Sequence, residues 1–110
     1  MTVGVKVKVP GFDGSFNCAV EFNEFEKFVA VLRELKNSLG DECENSWANM
    51  EGNIKFYFEL HRLGGLSGSY KFSPNNFSLG PMLEGDFEAD QTDIDTWLKQ
   101  AEAVVAAAEG

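Results

Sequence analysis

A two-residue hydrophobic period runs through most of this chain and is interrupted by two stretches of helical period, and this pattern limits the possible folds more than any other feature. Val3, Val5, Val7 and Val9 alternate with Gly4, Lys6 and Lys8; beyond Pro10-Gly11 and the turn dipeptide Asp13-Gly14, Phe16, Cys18, Val20 and Phe22 alternate with Ser15, Asn17, Ala19 and Glu21. Residues two apart on an extended chain share a face, so each segment offers one face to a core and one to water. The short connection between them predicts an antiparallel hairpin.

Phe25, Phe28, Val29, Leu32, Leu35 and Leu39 then fall at helical spacing, with Asn23 as N-cap, Glu26 three residues on and Gly40 past the end, which predicts a helix over about 24–39. The alternation returns in CENSWANM (43–50) and NIKFYFELH (53–61), where Ile54, Phe56, Phe58 and Leu60 share a face; with Glu51-Gly52 as the hairpin tip, Trp47 lies opposite Phe56. After the Leu63-Gly64-Gly65 turn, Leu66, Tyr70 and Phe72 continue the inner face, and SPNNFSLGP (73–81) reads as the longest loop. Residues 83–93, LEGDFEADQTD, place Leu83, Phe87 and Ala89 on one side of a sixth strand and Glu84, Asp86, Glu88 and Asp90 on the other. Thr92 then reads as the N-cap of a second helix, whose apolar stripe is Ile94, Trp97, Leu98, Ala101, Val104, Val105 and Ala108, with Asp93 and Asp95 at its positive end.

The expectation is one α+β domain over residues 1–110: an antiparallel sheet of about six strands, built as a hairpin, a helix, a four-strand meander and a helix. Both helices pack on one face, and the other is left open. With 44% hydrophobic residues, among them ten Phe, two Trp and two Tyr, 110 residues suffice for a single core.

Composition also narrows function. A formal net charge of −9 argues against nucleic acid, whose phosphates require a basic surface; it would steer a basic partner toward the acidic residues 83–110, and serves solubility equally well. No apolar run is long enough for a membrane helix and the first residues do not form a secretory signal, so a cytoplasmic protein is expected. Accordingly Asn76-Phe77-Ser78, which matches a glycosylation sequon, carries no weight. Cys18 and Cys43 have neither CxxC nor CxxH spacing and read as small apolar residues.

Catalytic and metal chemistry find no adequate set of residues. A calcium loop beginning at Asp86 would need Gly at its sixth position and a carboxylate at its twelfth, where Gln91 and Trp97 stand. His61 is the only histidine, at a strand end on the outward side. Gly65-Leu66-Ser67-Gly68-Ser69 lacks the second glycine of a nucleophile elbow, and Gly64-Gly65 lacks the lysine and spacing of a phosphate loop. No catalytic residue, metal or cofactor is expected. The candidates for binding are Glu84, Asp86, Glu88 and Asp90, with Tyr57 as an aromatic anchor on the same open face.

MEGNIKFYFEL (50–60) and LEGDFEADQTDI (83–94), with the Asp90-Gln91-Thr92 step into the last helix, resemble the WapI-like family of small bacterial immunity proteins over about Val7 to Val105. The resemblance implies an α+β fold and a non-enzymatic protein that neutralises a toxin domain made by the same kind of cell; it transfers no catalytic or ligand residues. Two further readings are a homodimer formed through the open sheet face, and a small-ligand binder with a pocket between helices and sheet lined by Trp47, Trp97 and Cys43, with Asn45 and Asn49 as its polar groups.

Overall fold

The computed structural model describes residues 2–76 and 80–109. Phe77 and Ser78 of the sequon, and with Leu79 the middle of the 73–81 loop, lie outside the described residues, as does the side chain of Ala108. The elements are β1 (Thr2–Val9), β2 (Phe12–Ala19), α1 (Phe22–Asn37), β3 (Cys43–Ala48), β4 (Ile54–Leu60), β5 (Leu66–Phe72), β6 (Leu83–Ala89) and α2 (Gln91–Glu109). The fold is α+β and every strand pair is antiparallel.

The strands divide differently from the expected single sheet. β1 and β2 form a two-stranded sheet of their own, and β3-β4-β5-β6 form a four-stranded meander. Side chains join the two sheets. Cys18 and Val20 enter the common core, Val3, Val5 and Phe16 pack against it, and Asn49 Nδ2 donates to the Ala19 carbonyl at 3.2 Å. The end of β2 is thereby tied to the β3–β4 turn without a strand ladder.

Within the meander the register agrees with the expectation: Trp47 is paired with Phe56 and Phe58 with Gly68, which is in turn opposite Phe87. These residues share the helix-facing side. α1 meets it through Phe28, whose ring centroid lies 5.0 Å from Trp47 and 5.9 Å from Phe56, and α2 through Trp97, 6.1 Å from Phe87. Gly68 keeps this side open between two rings, because a Cβ there would come within 2.6 Å of Phe87 and collide with the Tyr57 carbonyl. Lys36–Asp95 (3.3 Å) and Arg33–Glu102 (3.8 Å) link the helices at their exposed rim.

Both helix caps lie two residues before the ones that residue type suggests. The Glu21 N–H donates to Glu24 Oε2 at 2.8 Å in a capping box, so α1 starts at Phe22 and not behind Asn23. In α2, Asp93 N–H donates to Asp90 Oδ1 and Asp90 N–H to Asp93 Oδ2, each at 3.1 Å, so Asp90 is the cap and Thr92 lies inside the first turn. Asp95 turns from the expected dipole role to its ion pair with Lys36.

Glu24 does more than cap. It is only 9% exposed, its Oε1 accepts the Met50 N–H at 2.6 Å and its carbonyl accepts Trp47 Nε1 at 2.8 Å, so the helix start grips the end of β3 and the turn that follows it. Asn49 and Asn53 complete the clamp. Ile54 N–H donates to Asn49 Oδ1 at 2.9 Å, Asn49 Nδ2 to Asn53 Oδ1 at 3.1 Å, and Asn53 Nδ2 to the Ser73 carbonyl at 3.1 Å. Asn53→Ala removes a partner from two buried groups at once and is expected to lower stability by about 3 kcal/mol. Urea unfolding followed by tryptophan fluorescence checks this, with the exposed Asn75→Ala expected to change stability by less than about 0.5 kcal/mol.

Candidate functional site

The open face of the meander is assembled by cross-strand register. Ala48, Lys55, Lys71 and Glu84 form one row, Ser46, Tyr57, Ser69 and Asp86 the next, and Glu44, Glu59, Ser67 and Glu88 the third. Strand alternation puts all of them on the side away from the helices. Tyr57, 39% exposed, stands near the centre, and Ser69 and Asp86 join it in lining a shallow depression.

Charge is sorted across this face. Lys55 lies directly opposite Lys71 in one row, and Glu44 directly opposite Glu59 in another. Directly paired side chains on neighbouring strands have Cβ atoms about 5 Å apart, and like charges at that spacing destabilise a sheet. Lys71 answers Glu84 at 3.3 Å. Asp86, Glu88, Glu44 and Glu59 therefore make up the acidic part of the face, with Ser67 and Ser69 between them.

The predicted site residues separate accordingly. Asp86, Glu88 and Tyr57 come together. Glu84 shares the face but is ion-paired to Lys71, and Asp90 leaves it to cap α2. Glu44 was missed by sequence reasoning. The signal that places it was available in the Trp47–Phe56 pairing, because the same register sets Glu44 opposite Glu59.

Tyr57 responds to these neighbours. Its partial burial, followed by the Glu44 and Glu59 carboxylates, pushes its hydroxyl above the usual phenol value. A hydrogen bond with the Glu44 carboxylate acts in the same direction. His61 stands at the acidic end with Nε2 2.8 Å from Ser67 Oγ, both solvent-accessible. Among the described residues no cluster of three or more His, Cys, Asp or Glu side chains is arranged to hold a metal ion.

The helix side holds a cleft of about 610 Å³ lined by Phe25, Phe28, Phe56, Phe87, Trp97 and Val104 among others, with Glu88, Asp93 and Gln100 at its exposed margin. Its walls differ from those expected of a ligand pocket. Trp97 is present, but Trp47 and Cys43 are absent from the lining. Trp47 is buried and bonded to Glu24, Asn45 Nδ2 is held by Glu34 Oε2 at 2.7 Å, and Asn49 belongs to the buried clamp. Burial, then the Glu24 carboxylate, raises the Cys18 thiol, as suits a structural cysteine.

Comparison with protein-family models matches residues 1–109 to the immunity protein WapI-like family. No curated protein and no solved structure matches the chain. No described helix is long and apolar enough to cross a membrane.

The Tyr57 environment has a direct spectroscopic consequence. In Tyr70→Phe, Tyr57 is the one tyrosine left of two, and its absorbance titration is expected to have a midpoint above that of free tyrosine. Glu44→Gln should bring the midpoint part of the way back, burial and the Glu59 carboxylate retaining the rest. A midpoint at the free-tyrosine value would contradict this geometry.

Proposed function

This chain belongs to the immunity protein WapI-like family, and from that premise we propose that it neutralises a basic toxin domain by covering it with the acidic open face of its four-stranded sheet. The protein acts on this reading as a non-enzymatic binding partner in the cytoplasm of the cell that makes the toxin. Toxins that act on nucleic acid need a basic cleft for phosphate, and an acidic surface competes for that cleft by the same electrostatics.

One observation carries the reading. The open face sets Glu44 directly opposite Glu59, with Asp86 and Glu88 on neighbouring positions and a raised, neutral Tyr57 between them. Such a face is repulsive in the free protein and relaxes when cations of a partner are interposed. Tyr57 supplies the amphipathic surface on which interfaces concentrate binding energy. The homodimer alternative is disfavoured by the same charges, since a second copy docked through this face would set carboxylate against carboxylate.

Binding to a purified basic toxin domain, sought among the products of neighbouring genes, tests the proposal. Asp86→Lys combined with Glu88→Lys is expected to slow association about tenfold or more at low salt and to flatten its salt dependence. Tyr57→Ala is expected to weaken binding roughly thirtyfold, mainly through faster dissociation. Glu84→Lys, which removes a carboxylate already paired with Lys71, should act less than either acidic change. Variants that keep the parent circular dichroism and bind as the parent does would contradict the assignment of this face.

A further inference from the structure

β6 is an edge of the meander. β5 pairs with one side of it, and among the described residues no strand pairs with the other. Its two faces differ in chemistry: Leu83, Phe87 and Ala89 lie partly buried toward the helices, and Glu84, Asp86 and Glu88 stand exposed on the open face. Phe87, Glu88 and Ala89 wall the aromatic cleft, and Asp86 and Glu88 wall the depression beside Tyr57. The edge thus separates an apolar hollow from an acidic one.

An edge strand presents unpaired N–H and C=O groups, and a strand added there sends successive side chains to opposite faces. Building on the immunity reading above, we propose that the toxin domain adds an extended segment to β6 in which apolar residues alternate with lysine or arginine. The apolar side chains enter over Phe87 and Ala89 toward Trp97 and Val104, the last already 45% exposed, and the basic ones lie over Asp86 and Glu88.

The other occupants fit less well. Two β6 edges brought together would oppose Glu84, Asp86 and Glu88 with the same three acids. The chain's own β1 has the matching alternation, Val5-Lys6-Val7-Lys8-Val9, but Val7 is buried and Val3 and Val5 already pack against the common core. The opposite edge, β3, has its inner side closed by α1 through the Asn45–Glu34 and Trp47–Glu24 bonds.

The test uses the full chain, isotope-labelled for amide hydrogen exchange, and a six-residue synthetic peptide that alternates lysine with valine or phenylalanine. Two control peptides have the same composition, one in block order and one with methylated backbone nitrogens. The alternating peptide is expected to slow exchange at alternate β6 amides and to bind at least about tenfold more tightly than either control; Asp86→Lys with Glu88→Lys should abolish that difference. Equal binding of the three peptides, protection on Cys43–Ala48, or no binding would each overturn the proposal. So would protection of β6 in the chain alone that rises with its concentration and is lost in Lys6→Glu/Lys8→Glu, which would assign the edge to a second copy. The two readings fail separately: a toxin domain that binds the open face without protecting β6 removes the strand addition and leaves the immunity role, whereas peptide protection of β6 with no toxin binding removes the immunity role.

Discussion

The structure depends on a buried set of hydrogen bonds at the β3–β4 turn. Glu24, Asn49 and Asn53 are 9%, 3% and 0% exposed, and between them they tie the start of α1, the end of β2, the turn itself and the chain after β5. Polar groups buried this deeply are expensive unless satisfied, and each is bonded here. The clamp fixes where the β3–β4 hairpin begins, hence the register of Trp47 against Phe56. A slip of one residue would send the aromatic row to water and the carboxylates to the core. The acidic face is therefore set by amides buried at the turn between β3 and β4.

Given that register, the two faces of the meander take on separate tasks. The helix side stacks Phe28, Phe56, Phe58, Phe87 and Trp97 in a continuous aromatic run, with Gly68 leaving room between rings. The open side gathers like charges that weaken the sheet slightly and yet persist. On the proposed function the Glu44–Glu59 repulsion would be relieved by the cations of a partner, whereas the Lys55–Lys71 pair is relieved within the chain by Glu84. Occlusion by such a face needs no catalytic group, in keeping with membership of an immunity protein family.

Much of this could be read from the chain. Period-two alternation located the strands, and the Glu51-Gly52 tip fixed the Trp47–Phe56 pairing because a tight turn leaves little freedom in register. Helix starts were misplaced by two residues because residue preference points to Asn23 and Thr92, whereas local boxes of Glu21 with Glu24 and of Asp90 with Asp93 set the starts, and Glu24 adds a bond to Met50 that only the folded chain provides. The hairpin's separation from the meander was equally hidden, since alternation shows that β2 has an inward face but not that it meets the meander through side chains, Cys18 and Val20 in the core and Asn49 at the Ala19 carbonyl, instead of a strand ladder. In the candidate site, the run from Glu84 to Asp90 overstated its own unity. Contributions from Glu44 and the loss of Asp90 and Glu84 to local partners follow from register and capping, which composition does not display.

Carboxyl footprinting with and without a basic toxin domain that the protein is found to bind tests the proposed acidic interface most directly. Labelling by a carbodiimide and an amine, read by mass spectrometry, is expected to fall at Glu44, Glu59, Asp86 and Glu88 on binding while Asp13, Glu26 and Glu102, exposed on the hairpin and the two helices, react as before. Protection at Asp13, Glu26 or Glu102, with the four sheet carboxylates labelled as fully as in the free protein, would place the partner elsewhere and contradict the account.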